Sequence, residues 1–309
     1  MDMEENMESA RLSAAEQSGH MPGGADLMNR KNQKKHLAVT CILIMLFASG
    51  MIINESDYLG SNHTSVVTYL EVYSAFLPLL VYIIPFGIVV KWLSSRYALP
   101  SLELLTAVFC GAFIPASLAG EVNGNFDDLM KSLMGASYSD AWIGSAEAGI
   151  TEELLKLATT AMFLYVLNRK SLQHYLTIGM CVGMGFQIEE DISYITESGF
   201  ANVNDAFPTA MDRISGAFGS HWAYAAVTAA GLWLIVRADR RNHRRKGIVW
   251  ILLVVADHFL YDSPLGESLL FNAILTAAVV LPVIIFYRSP ETTAEEKKSL
   301  PESERFTSM

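Results

Sequence analysis

Residues 141–167 read AWIGSAEAGITEELLKLATTAMFLYVL, an apolar run long enough to cross a bilayer that carries Glu152, Glu153 and Lys156 near its middle. A charged side chain at mid-bilayer costs roughly 2.5–3.5 kcal/mol on insertion scales, so such a group persists only with a partner or a use. The next three apolar runs repeat the pattern: Glu189, Glu190 and Asp191 in one, His221 in the second, His258 and Asp262 in the third. Successive helices with ionisable groups at membrane depth imply a polar site enclosed in a membrane protein.

The rest of the chain agrees. Apolar residues make up 51% and charged residues only 17% of the sequence. Since about 20 apolar residues span the hydrocarbon, the runs at 37–53, 66–90, 101–119, 141–167, 174–196, 210–236, 248–263 and 267–287 are expected spans. Backbone groups in lipid must be satisfied internally, which makes these segments helices. The expected fold is an all-α, polytopic membrane bundle of about eight transmembrane helices. It occupies 37–288, with the catalytic core at 140–265. Residues 1–36 are polar and lack apolar periodicity, so they are expected to form a disordered cytoplasmic tail, with a second tail at 289–309.

Charge placement orients the bundle. Nineteen of the 22 Lys and Arg fall in the tails and in the loops after the second, fourth and sixth spans. The alternate loops hold Lys131 and Arg213 among many acids, including Glu121, Asp127, Asp128 and Asp205. The positive-inside rule then puts both termini in the cytoplasm. The net charge of −10 comes mainly from acids in the tails and outer loops. The basic loop 237–246 suits anionic lipid head groups, and no nucleic-acid partner is expected. Cys41, Cys110 and Cys181 are scattered through separate spans and read as small core residues. Asn54-Glu-Ser and Asn62-His-Thr match glycosylation sequons but lie close to the membrane.

Helical geometry sharpens the site. Glu152 and Lys156 are four residues apart and share a face, and Glu153 flanks the lysine from three residues away. One such pair can be a salt-bridge staple that lets a helix insert. Two glutamates on one cation leave excess negative charge, which suits a general base or a metal-facing carboxylate. In the next span, residues point about 100° apart, so Glu189, Glu190 and Asp191 cannot all face one neighbour. Glu190 shares its face with Phe186 and Tyr194 and is the expected inward acid, while Gly179 and Gly183 let another helix approach. His221 lies among small residues, and His258 and Asp262 sit one turn apart, suited to an Asp-oriented imidazole or to two ligands. Counting 1.5 Å per residue from the outer end of each span places these groups in the extracytoplasmic half.

This series resembles the PrsW-type intramembrane proteases, which are related to the CAAX prenyl endopeptidases and their bacterial relatives. The matching motifs are Glu-Glu-x-x-Lys at 152–156, Gly-Phe-x-x-x-Glu at 185–190 followed by Asp191 and Tyr194, His221, and His-x-x-x-Asp at 258–262. Asp191 and Asp262 stand where that family often has Asn, and Ala225 where a Thr commonly follows the histidine. The resemblance implies peptide-bond hydrolysis within a bacterial plasma membrane, with Glu152, Glu153, Glu190, His221, His258 and Asp262 as catalytic residues. Lys156, Tyr194, Phe186 and Asp191 support them. It also implies a membrane-protein substrate, single-pass, of which a transmembrane anti-sigma factor is one example.

Two chemistries stay open. Zinc would favour His221 and His258 with a carboxylate, Glu190, and one open position. Without metal, Glu152 or Glu153 would take the water proton and the histidines would face the developing oxyanion. The zinc-protease string His-Glu-x-x-His and the serine-nucleophile elbow are both absent. Intramembrane acids also suit an ion-coupled transporter, although such folds tend to show repeated halves and interrupted helices. A non-catalytic receptor of the same fold is a further alternative.

Overall fold

The computed structural model describes residues 24–60, 64–135, 142–237 and 241–289. Most of the two expected tails, the sequon at Asn62 and the side chains of Arg30, Lys31, Arg237, Arg240 and Arg241 lie outside the described residues. Among those residues the regular elements are all helical. In chain order they are α1 (Gly24–Tyr58), α2 (Val66–Ser74), α3 (Leu80–Arg96), α4 (Ser101–Gly111), a π-turn (Ala112–Ala116) and α5 (Ser117–Met134). There follow α6 (Gly144–Val166), α7 (Leu172–Ala201), α8 (Ala206–Gly216), α9 (His221–Arg237), α10 (Arg241–Asp262) and α11 (Leu269–Tyr287).

Four stretches are long and apolar enough to cross a membrane: Asn32–Glu55, Val66–Arg96, Ser101–Met134 and Leu269–Tyr287. The remaining helices of the core, α6, α7, α9 and α10, are those that carry the ionisable groups, and α9 has only 17 residues. Several boundaries differ from expectation: the span at 66–90 is interrupted after Ser74 and runs on to Arg96, the span at 101–119 runs on to Met134, and the span at 248–263 begins at Arg241. Helix α1 begins at Gly24, well before residue 37. The expected span at 210–236 is divided, because α8 ends at Gly216 and a 3₁₀ turn covers Ala217–Gly219. Ser220 is non-helical, with φ −109° and ψ −139°, so His221 opens α9 and is not mid-helix. The glycines at 216 and 219 disfavour continued helix here.

Helix α7 is the centre of the packing, with nearly every residue from Leu172 to Gln187 buried. It lies against α9 on one face and against α4 and the π-turn on another, with α6 and α8 completing its surround. Two glycine contacts show how close these helices come. A Cβ on Gly183 would lie 2.1 Å from the His221 carbonyl oxygen, and one on Gly111 would lie 2.0 Å from that of Val182. Only glycine allows such backbone contact, and Gly183 therefore sets the position of His221.

The polarity of the fold is that of a protein in lipid. Leu269, Leu102, Leu70 and Leu281 are exposed, whereas Lys156 and Asp191 are completely buried. Cys110 and Cys181 are buried as expected, but Cys41 is exposed. Asn54, the first sequon position, is buried and so offers no surface for a glycan in the folded protein. At one end of the bundle, Arg169 binds Glu103 and the Trp233 indole donates to the Lys170 carbonyl at 3.0 Å. These contacts gather residues that the charge alternation places on one side.

Candidate active site

The first turns of α6 bring Glu147, Ser145 and Gly149 past α10, and Gly149 lets the two helices meet: its Cβ would lie 3.1 Å from the Phe259 nitrogen. This approach puts Glu152 and Glu153 opposite His258. The 3₁₀ turn after α8 then aims His221 at the same place from α9. The Glu152 carboxylate and the two imidazoles converge so that one potential ligand atom from each lies within 4.8 Å of the others.

Lys156 organises this cluster. Its ammonium lies 2.6 Å from Glu153 Oε1, 2.7 Å from His221 Nδ1 and 3.6 Å from Glu152 Oε2, and 4.2 Å from the centre of the Phe186 ring. An ammonium can only donate, so Nδ1 of His221 accepts. The proton of the neutral imidazole is therefore on Nε2, which donates to Glu190 Oε2 at 3.1 Å. His258 is held in the opposite sense. Its Nδ1 donates to Glu153 Oε1 at 3.0 Å, and Nε2 faces Asp262 Oδ2 at 3.1 Å and Glu152 Oε2 at 3.6 Å. A carboxylate behind an imidazole fixes its orientation and its tautomer. Glu153 has that relation to His258, and Glu190 to His221.

The three acids of α7 diverge as helical geometry requires. Glu189 accepts from Tyr58 at 2.5 Å, and Asp191 accepts from Tyr82 at 2.8 Å and from Gln187 at 2.9 Å. Glu190 turns to His221 and to Arg213. Tyr194 does not reach the imidazoles. Its ring lies beneath the Arg213 guanidinium, 4.4 Å from ring centre to carbon.

Arg213 is the main functional residue that sequence reasoning missed. From α8 it binds Glu190 and, at 2.6 Å through Nε, Asp191. It read as an outer-loop charge, but a rare cation on an acid-rich side next to a buried acid pair was itself a signal. Asn123, which donates to Glu152 Oε1 at 3.2 Å, and Tyr224, which stacks on His258 at 4.9 Å between centroids and donates to Asp257 at 3.1 Å, carried no such signal. Replacing Arg213 by alanine should strand Glu190 and Asp191, at a cost of about 3–5 kcal/mol. Thermal unfolding in detergent would show this as a lowered Tm, smaller for Arg213→Lys.

The residues suit a metal ion. Glu152 Oε2 is buried and accepts no hydrogen bond from the described residues, although three nitrogens lie within 3.7 Å of it. A carboxylate and two imidazoles form a donor set typical of zinc. Glu190, expected from the sequence as the carboxylate ligand, is engaged by Arg213 and His221, and Glu152 takes its place in the converging group. The cluster opens into a cavity of about 1170 Å³ lined by α1, α5, α6, α7, α8, α9 and α10.

An all-helical protein with apolar outer faces and a buried acid–imidazole centre beside a large cavity belongs to the class of membrane-embedded hydrolases. The model of the PrsW family intramembrane metalloproteases matches residues 100–287, and the chain belongs to that family. No curated protein and no solved structure matches it. The match is wider than the four motifs, reaching back over α4 and α5, the helix that delivers Asn123. The protein is thus an integral membrane protease acting on membrane-protein substrates. The transporter and receptor alternatives give way to this assignment.

Proposed function

We propose that the protein hydrolyses a single-pass membrane protein near the extracytoplasmic boundary of its helix, in a bacterial plasma membrane, with all eight long helical stretches crossing and both termini cytoplasmic. The observation that carries this reading is the convergence of Glu152, His221 and His258 from three helices at the wall of an open cavity. Glu152, His258 and His221 would hold a metal ion, His221 through Nδ1 once Lys156 gives up its hydrogen bond there, and zinc is the best chemical match. Bound there, zinc would supply Lewis-acid polarisation of the scissile carbonyl.

The chain's own residues prepare the rest. Asn123 holds Glu152 Oε1 and leaves Oε2 without a hydrogen bond, as a ligand to the metal or, without metal, as the acceptor of a water proton. Glu153 aims His258 Nε2 at the same point, Lys156 fixes the tautomer of His221, and Arg213 holds Glu190 against His221. Asp262, partly exposed to the cavity, faces His258 Nε2 at 3.1 Å and is placed to take up a proton released there.

The outer position is supported by the acids lining the cavity, Glu121 and Asp127 of α5, Glu197 of α7 and Asp212 of α8, in segments on the side poor in basic residues. A transmembrane anti-sigma factor is one substrate of this description. The test is to incubate purified protein with single-pass candidates and map the new termini by mass spectrometry. The expected cuts fall within the outer third of the substrate helix or just beyond it. Cuts at the cytoplasmic end would reverse the proposed orientation.

A further inference from the structure

A neutral imidazole accepts a hydrogen bond through the single lone pair of its unprotonated nitrogen, and it binds a metal through that same lone pair. At His221 the lone pair is on Nδ1 and is taken by the Lys156 ammonium, 2.7 Å away. The same ammonium lies 3.6 Å from Glu152 Oε2, another atom of the converging group. The ligand atoms themselves are nearly in place. Glu152 Oε2 is 3.7 Å from His221 Nδ1 and 3.6 Å from His258 Nε2, against roughly 3.4 Å between two ligands of a tetrahedral zinc ion. What a divalent ion must overcome at this triad is therefore a lysine, more than the spacing of its ligands.

The ammonium also has somewhere to go. It lies 2.6 Å from Glu153 Oε1 and 4.2 Å from the centre of the Phe186 ring, contacts that hold a cation without help from His221. Glu153 Oε2 is buried and accepts no hydrogen bond from the described residues. Thr160 Oγ1, buried one turn further along α6, has no partner among them either. Residues four apart share a helix face, which brings the threonine hydroxyl within range of a flexible four-carbon arm. Buried polar atoms left unpaired are costly, so two open acceptors around one mobile donor mark a second resting place for it.

We propose that Lys156 is an internal competitor for the metal: its ammonium and a zinc ion hold His221 Nδ1 in alternation, and entry of zinc moves the ammonium from Nδ1 to Glu153 Oε2 or Thr160 Oγ1. The exchange breaks one N–H···N hydrogen bond and forms one bond from Nδ1 to zinc. No proton is transferred, because His221 keeps its proton on Nε2 and the lysine keeps all three of its own. The competition holds the zinc affinity of the site below that of the same three ligands alone, so occupancy follows the supply of free zinc. It also means that the buried carboxylates always have a cation beside them, the ammonium or the metal. This inference rests on the metal reading above and adds what sets the occupancy of the site.

The test uses the full-length protein in nanodiscs with zinc ion as the probe, its affinity measured by competition with a chromophoric chelator. Lys156→Met should bind zinc about 10–100-fold more tightly than wild type, the worth of one hydrogen bond from a charged donor. A merely structural lysine would leave the affinity unchanged or lower it. Because Lys156→Met alone loses stability, the Lys156→Met/Glu153→Gln pair is compared with Glu153→Gln, and the same tightening is expected there. A second measurement needs no substitution: nitrogen NMR of wild type with isotope-labelled histidine should show the His221 Nδ1 resonance moving when zinc is added, with Nε2 still protonated. Zinc binding that is absent throughout, or no tighter without the lysine in either comparison, overturns the proposal. So does zinc taken up with His221 Nδ1 unmoved. Cleavage of a single-pass peptide is assayed separately. If the lysine variants bind zinc more tightly but zinc-loaded wild type cleaves nothing, the competition stands and the hydrolytic reading of the cluster is what fails.

Discussion

Replacing Glu152 by glutamine should reduce cleavage by about 10²–10⁴-fold or more, the usual cost of removing a group that accepts a proton in the transition state. The amide keeps the size of the carboxylate and can still meet Asn123 Nδ2 through its oxygen, so the variant should insert and fold. The same variant separates two uses of this residue. If Glu152 is a metal ligand, zinc, expected at about one ion per chain in the wild type, is lost with activity. If it serves only as proton acceptor, zinc stays and turnover alone falls. Glu153→Gln should behave differently, because Glu153 reaches His258 Nδ1 and Lys156 through Oε1 and holds them in place. The Glu152→Gln/Glu153→Gln double variant should be no less impaired than Glu152→Gln. Normal turnover by the double variant would overturn the assignment of hydrolysis to this cluster.

Much of this centre was legible in the sequence because the cost of charge in lipid makes every intramembrane acid or histidine informative. Glu152, Glu153, Lys156, Glu190, His221, His258 and Asp262 stood out for that reason, and the structure brings all seven together. Helical spacing also gave the divergence of Glu189, Glu190 and Asp191 and the close packing at Gly183. What it did not give was the pairing across helices. Whether Glu190 or Glu152 joins the histidines depends on the 3₁₀ turn at Ala217–Gly219, which moves His221 from the middle of a span to the head of α9. Glycines inside an apolar run are compatible with a close helix contact or with a break, and Gly183 and Gly219 illustrate the two cases.

The neutral polar residues were the least legible. Asn54, which the sequence marks only as a sequon position, and Gln187 cost far less to insert than a charge. Their partners, Ser117 and Asp191, are set by three-dimensional packing. Arg213 is intermediate, a charge whose proximity to Glu190 and Asp191 is decided by α8 folding back over α7.

The second large effect is expected at Lys156, for stability more than for chemistry. Its side chain is completely buried and supplies the cation nearest to Glu153, Glu152 and His221. Lys156→Met keeps the packing against Phe186 but removes the charge, leaving buried carboxylates uncompensated, at an expected cost of about 3–5 kcal/mol. It also removes the donor that makes His221 Nδ1 an acceptor, so the imidazole is free to change tautomer and loosen its hold on Glu190. Chemical or thermal unfolding in detergent should show a marked fall in stability for the single variant. The Lys156→Met/Glu153→Gln pair should recover part of that loss, because Glu152 alone, and no longer both glutamates, is then left without the lysine. Such a cycle isolates the coupling between the two residues. A single variant as stable as wild type would mean that Glu153 is uncharged in the folded protein, and Lys156 would then not be the residue on which the acid cluster depends for burial.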